Sequence, residues 1–252
     1  MRHENKPEEI PQIEKTQTSN NFLMPASILI AGVLIAGAVV YSVGKKSDTK
    51  IPQAAGNTQT AAPSANLAEA LKINGSDAVL GDVNAPVTFV EYGDYQCPFC
   101  GRFFSQVEPS LRADYIKTGK VKMVYRNFQF LGAESTNAGA AAECAKYQSK
   151  FWEYHDALYG AKVKDAANGE NDGFFSRNEF LKLAGNVGLD MNAFTSCIDS
   201  NKYDDQVKKD TAAAQAIGVN STPTSYVNGQ MVQGAQPYSA FKAAIDAALA
   251  TK

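Results

Sequence analysis

A Cys-x-x-Cys pair reached almost directly from a short apolar run constrains this chain more than any other feature. The run Pro86-Val87-Thr88-Phe89-Val90-Glu91-Tyr92 is β-branched and aromatic, and predicts a buried strand. Cys97-Pro98-Phe99-Cys100 follows a short turn and opens a helical pattern, predicted to run to about Thr118 and to end at Gly119. Val121 to Tyr125 alternates and predicts the next strand. The three elements form a βαβ unit, which sets two strands parallel in one sheet.

The same pattern carries chemistry. If the helix begins just after Cys97, that residue is the N-cap and Pro98 the first helical position, where its missing N–H is no loss. The Cys97 sulfur then faces free N–H groups and the positive end of the helix dipole, which stabilise a thiolate. Cysteines so placed ionise at about pH 3.5–7.5, against about 8.5 for a free thiol. Cys100 lies one turn inward and is expected to be less exposed. Cys97 therefore attacks or leaves, and Cys100 resolves the mixed disulfide. Zinc would need a second Cys or His pair at ligand spacing. Cys144 and Cys197 stand far apart, and of the two histidines His3 lies in the N-terminal tail, so no metal site is expected.

At 252 residues, the chain can hold one domain with extra segments or two small domains. A net charge of -2 leaves no basic footprint, so nucleic acid is not an expected partner. Four cysteines are too few for a disulfide scaffold, but enough for one redox pair and one structural pair. Residues 1–21 are polar, carry both signs of charge and read as a disordered tail. From Phe22 to Val43 no residue is charged, and a run of about 20 such residues matches a membrane's hydrocarbon thickness. The span exceeds the apolar core of a cleaved signal peptide, the competing reading, and is taken as an uncleaved signal anchor. Arg2, Lys6 and Lys15 before it balance Lys45, Lys46 and Lys50 after it, so flanking charge sets no orientation.

Residues 44–66, rich in Ala, Gln, Thr, Ser and Pro, predict a flexible linker. The folded domain is expected over 67–252. From about Glu134 to Ala216 apolar residues recur at helical spacing, a helical insertion of about 130–217. Within it Trp152, Tyr154 and His155 read as core rather than catalytic. Ser225 to Val232 predicts a hairpin turned by Asn228-Gly229, and a last helix covers about Tyr238 to Ala250.

A strand running into CPFC, a helical insertion after the next strand, and Ser221-Thr222-Pro223-Thr224 before the hairpin occur here in one order. In these features the chain resembles the DsbA-like branch of the thioredoxin superfamily, from about Ala78 to the C-terminus. The resemblance implies an α/β thioredoxin fold with a helical insertion, here preceded by a transmembrane helix and a linker. It implies that Pro223 is cis, that the Thr222-Pro223 loop faces Cys97, and that Glu91 is the buried acid beneath the redox pair. The alternative for Glu91 is a solvated face of the strand, and Asp94, nearer the turn, is read as exposed.

The implied activity is thiol–disulfide exchange on reduced or unfolded exported polypeptides, as a disulfide-forming oxidase renewed by a quinone-linked membrane partner. No cofactor of its own and a monomeric state are expected. A disulfide donor is useless in a reducing cytosol, so the domain is expected outside the membrane and the tail inside. There Cys144 and Cys197 are expected to pair; two buried free thiols are the alternative. A reductase or isomerase stays open, since Pro98-Phe99 does not set the reduction potential, as does a non-catalytic carrier of a soft metal.

Overall fold

The computed structural model describes residues 65–165 and 169–251. The expected tail, the signal anchor of residues 22–43 and nearly all of the linker lie outside them. No helix among the described residues is long and apolar enough to cross a membrane.

Helix α1 (Ala65–Ala70) begins within the expected linker, two residues before the predicted start of the domain. Its end is held because Leu67 and Leu71 pack against Val90, Tyr92 and Tyr226. The chain continues through β1 (Val79–Leu80), β2 (Val87–Gly93), α2 (Pro98–Gln106) and α3 (Glu108–Leu111). A π-helical turn (Arg112–Ile116) then leads to β3 (Val121–Asn127). The insertion holds α4 (Ala133–Lys146), α5 (Phe151–Lys162), α6 (Arg177–Asn186), α7 (Met191–Asp199) and α8 (Asp204–Ala216). The hairpin of β4 (Thr224–Val227) and β5 (Gln230–Gln233) precedes α9 (Tyr238–Ala250).

The five strands lie in the order β1-β3-β2-β4-β5, with β2 parallel to β3 and every other pair antiparallel. Alternation along β2 divides the core. Val87 and Phe89 meet Phe103 of α2 and Phe241 and Ile245 of α9, whereas Val90 and Tyr92 join Phe128, Ala214 and Tyr226 on the other face. The insertion builds its own core from Tyr154, Leu158, Phe180, Leu183 and Phe194, continuous with Tyr95, Cys97 and Cys100. Asn228 and Gly229 turn the hairpin with φ of 46° and 90°, both in the region a type I′ turn requires.

The helix expected from CPFC to Thr118 is not continuous. It breaks at Val107 (φ -113°, ψ -52°), because Pro109 has no N–H to donate and its ring crowds the preceding turn. The backbone then over-widens, with Lys117 N donating to Arg112 O at 2.9 Å across five residues. Glu108, at the break, is buried.

Candidate active site

Cys97 is the N-cap of α2 in extended conformation (φ -68°, ψ 119°), and Pro98 occupies the first turn. Gly101 N donates to Cys97 O at 3.0 Å, the first bond of the helix. Both thiols are free. Only 7% of the Cys97 surface is exposed, and Cys100, one turn inward, is fully buried. Phe99, between them, projects outward at 53% exposure, with the Arg102 guanidinium 5.1 Å from its ring centre.

The recessed thiol faces the loop before β4. The Thr222–Pro223 bond is cis, and Cys97 Sγ lies 3.5 Å from Thr222 O. Gly234 N donates to Pro223 O at 2.8 Å, tying that loop to the strand edge. Beside Phe99 and Thr222 a groove runs between α2 and residues 234–238, lined also by Arg102, Pro237 and Tyr238.

The two sulfurs are driven apart electrostatically. The Cys97 thiol is lowered to about 6, first by the hydrogen bond from Cys100, against a penalty from burial, and then by Thr222 and the N–H groups of Cys100 and Phe99. Cys100 is pushed well above the ordinary thiol range by burial, by its bond to Cys97 and by the nearby Glu91. One sulfur carries charge at neutral pH and its neighbour keeps its proton.

Glu91 sits on β2 between Tyr125 of β3 and Ser225 of β4, and only 1% of it is exposed. Its Oε2 and Ser225 Oγ have no hydrogen-bond partner among the described residues. Burial, then repulsion from Glu108, holds its carboxyl well above the usual range. The side chain therefore faces the interior rather than solvent.

Asp94 was expected to be exposed and is instead fully buried. Its Oδ1 accepts from Gln96 N at 2.9 Å and Ser135 Oγ at 2.6 Å, and its Oδ2 from Phe130 N at 2.9 Å and Leu131 N at 3.1 Å. Gln96 donates to Ser135 Oγ at 2.8 Å and accepts from Asn171 N at 2.6 Å. The turn before Cys97 is thus fastened to the start of the insertion. Sequence reading missed Gln96 and Ser135; the only signal was an Asp and a Gln crowded before a redox pair. It also missed Glu108 and Arg112, for which the pattern held no signal.

Cys144 of α4 and Cys197 of α7 are joined by a disulfide, 53 residues apart in sequence. Trp152, Tyr154 and His155 all pack in the interior, and the His155 ring lies 4.9 Å from Tyr125 and 5.0 Å from Tyr159.

A parallel β2–β3 pair, an antiparallel hairpin and a dithiol at a helix N-terminus define a thiol–disulfide oxidoreductase of thioredoxin fold. Residues 73–247 match the family model described as Thioredoxin, and the chain belongs to that family. It is 32% identical to the "Probable disulfide bond formation protein D" of Bacillus anthracis, over 90% of this chain and 97% of that one. Among solved structures it resembles oxidised BdbD from Bacillus subtilis, with TM-score 0.64 and 30% identity over 69% of this chain and 94% of that one. Wolbachia pipientis alpha-DsbA1 shares the fold at TM-score 0.64 and 22% identity, over 73% of this chain and 96% of that one.

Proposed function

We propose that this chain forms disulfides in exported polypeptides through Cys97 and Cys100. The observation that carries this reading is the placement of Cys97 at the N-cap of α2, 3.5 Å from the Thr222 carbonyl, with Cys100 buried one turn inward, an arrangement that lowers the Cys97 thiol to about 6 and raises Cys100. A stabilised Cys97 thiolate favours the dithiol form of the pair, so the disulfide form is a good electron acceptor. A substrate thiolate attacks Cys97 Sγ, the Cys97–Cys100 bond breaks, and Cys100 leaves as a thiolate that Glu91 protonates. A second substrate thiolate then displaces Cys97, and the product departs with its new disulfide.

The substrate lies along the groove beside Phe99, where the Thr222–Pro223 loop offers backbone groups to an extended chain. The Cys144–Cys197 disulfide and the likeness to disulfide bond formation protein D support an oxidising location. Residues 22–43 would anchor the domain to the outer side of the membrane, with 44–66 as its tether. There a quinone-linked membrane protein would reoxidise the pair.

Stoichiometric oxidation of a reduced, unfolded protein tests the assignment. Cys97→Ser is expected to abolish turnover, and Cys100→Ser to accumulate mixed disulfides with the substrate, visible by mass spectrometry. Equal activity in both variants would overturn it.

A further inference from the structure

A second set of buried polar groups lies beside Glu91, on residues that the thiol chemistry alone leaves without a task. Glu91 is within electrostatic reach of Glu108 and Arg112. Glu108 Oε1 accepts from Arg112 Nε at 2.8 Å. Arg112 also forks onto Asp156, one guanidinium nitrogen to Oδ2 at 2.7 Å and the other to Oδ1 at 2.6 Å. Asp156 Oδ1 lies 3.0 Å from His155 Nδ1. One nitrogen of His155 and one oxygen from each of Glu108 and Asp156 fall within 4.8 Å of one another.

The cluster spans from the interior to the surface. The His155 side chain is fully buried, while that of Asp156 is 38% exposed. Glu91 Oε2, Glu108 Oε2 and His155 Nε2 are all buried without a hydrogen-bond partner among the described residues. In a purely structural ion-pair network each of the three would carry an uncompensated desolvation penalty. A divalent cation is a poor occupant, since Arg112 already holds one oxygen of Glu108 and both of Asp156. Three carboxylates and an imidazole around one guanidinium are instead suited to holding and moving protons. Burial raises both Glu91 and Glu108, in keeping with a shared proton. The other titratable groups facing the cluster are Cys97, Cys100 and the phenols of Tyr95, Tyr125 and Tyr159. Burial pushes these phenols well above their ordinary range, so they stay neutral.

We propose that Glu108, His155 and Asp156 form a proton relay joining Glu91 to solvent, through which the proton exchanged at Cys100 travels while substrate covers Cys97. This rests on the assignment of Cys97 and Cys100 as the redox pair. When the Cys97–Cys100 bond breaks, its electron pair stays on Cys100 and the Glu91 carboxyl supplies the proton. Glu108 restores that proton through a water bridging the two carboxyls. His155 replaces it through Nε2 and recovers its own through Nδ1 from water at the exposed Asp156 carboxylate. This leaves the imidazole in the opposite tautomer. Reoxidation of the dithiol sends one proton outward along the same path and resets it. Glu108, His155 and Asp156 do not touch the reacting sulfurs; they act through Glu91.

The test uses the reduced protein and the chromogenic disulfide 5,5′-dithiobis(2-nitrobenzoate) in stopped flow. The first thionitrobenzoate is released by attack of Cys97, the second when Cys100 resolves the adduct and gives up its proton. Glu108→Gln and His155→Gln are expected to slow the second release at least about tenfold below neutral pH, within the range of general acid–base effects. The first release should stay within about twofold, and the deficit should shrink at high pH, where hydroxide takes the Cys100 proton directly. Asp156→Asn, at the solvent edge, should act in the same direction and keeps the test alive if His155→Gln does not fold. Wild-type rate and pH profile for the second release in Glu108→Gln and Asp156→Asn would overturn the relay, as would equal slowing of both releases. A first release that survives Cys97→Ser would instead refute the redox pair itself.

Discussion

The Cys97 thiol lies 3.5 Å from the carbonyl oxygen of Thr222, a residue 125 positions further along the chain. The contact joins the N-terminus of α2 to the loop entering β4 and leaves Cys97 with 7% of its surface exposed. The sulfur is therefore recessed beside the cis-proline loop, and the little of Cys97 that is exposed borders a cleft lined by Gly101, Lys162 and Val163.

The Cys97 thiolate depends first on the hydrogen bond from Cys100. Alkylation by iodoacetamide, followed against pH, should show a midpoint near 6 in the reduced protein. In Cys100→Ala the donor is gone while burial still opposes charge, so the midpoint should move toward the ordinary thiol range. An unchanged midpoint would assign the effect to Thr222 and the helix N-terminus instead.

The depressed Cys97 thiol ties the stability of the reduced protein to pH. A group lowered from 9.0 to about 6 contributes fully above the unfolded value and loses its contribution as pH falls through the folded one. At pH 7 the contribution is on the order of 1 kcal/mol, and it grows severalfold toward pH 9. Thermal unfolding of the reduced form, set against the oxidised form, should show the difference growing from pH 6 to pH 9. Parallel curves would contradict the thiolate.

Glu91 shows the opposite sign. A carboxyl raised by burial favours folding at low pH, and that advantage is lost as pH rises from its unfolded value of 4.5 through its folded one. Glu91→Gln, which keeps the shape and removes the charge, should be the more stable protein at pH 8 and lose its margin toward pH 5. Denaturant melts at the two pH values measure this.

Asp94 accepts from two backbone N–H groups of the 130–131 loop, one of the active-site turn, and the Ser135 hydroxyl. Asp94→Ala leaves buried donors unmatched and should cost about 3 kcal/mol or more. Because the same bonds hold the turn before Cys97, substrate oxidation should slow as well. Urea unfolding with a turnover assay checks both.

Removal of Cys144 and Cys197 together should cost about 4 kcal/mol on the loop-entropy estimate for the 53-residue separation. The alkylation profile of Cys97 should be unaltered, since the bond lies within α4 and α7. A shifted profile would mean that the insertion reaches the thiols through more than the Asp94 and Gln96 contacts.

Local pattern carried much of this protein. The β-branched run into β2, the proline after Cys97 at the helix N-terminus, the Asn228-Gly229 turn and the span of α9 were legible because each depends on backbone preferences and neighbours a few residues away. Tertiary structure decided what depends on burial and on distant partners. Asp94 looked exposed because acids usually are, yet four donors from residues up to 41 positions away hold it in the core. Pro109 broke a helix that periodicity ran straight through, and the break left Glu108 buried within reach of Arg112, which forks onto Asp156 of α5. No spacing in the sequence records such a meeting, because desolvation and charge coupling act through space and the chain brings those groups together only when it folds.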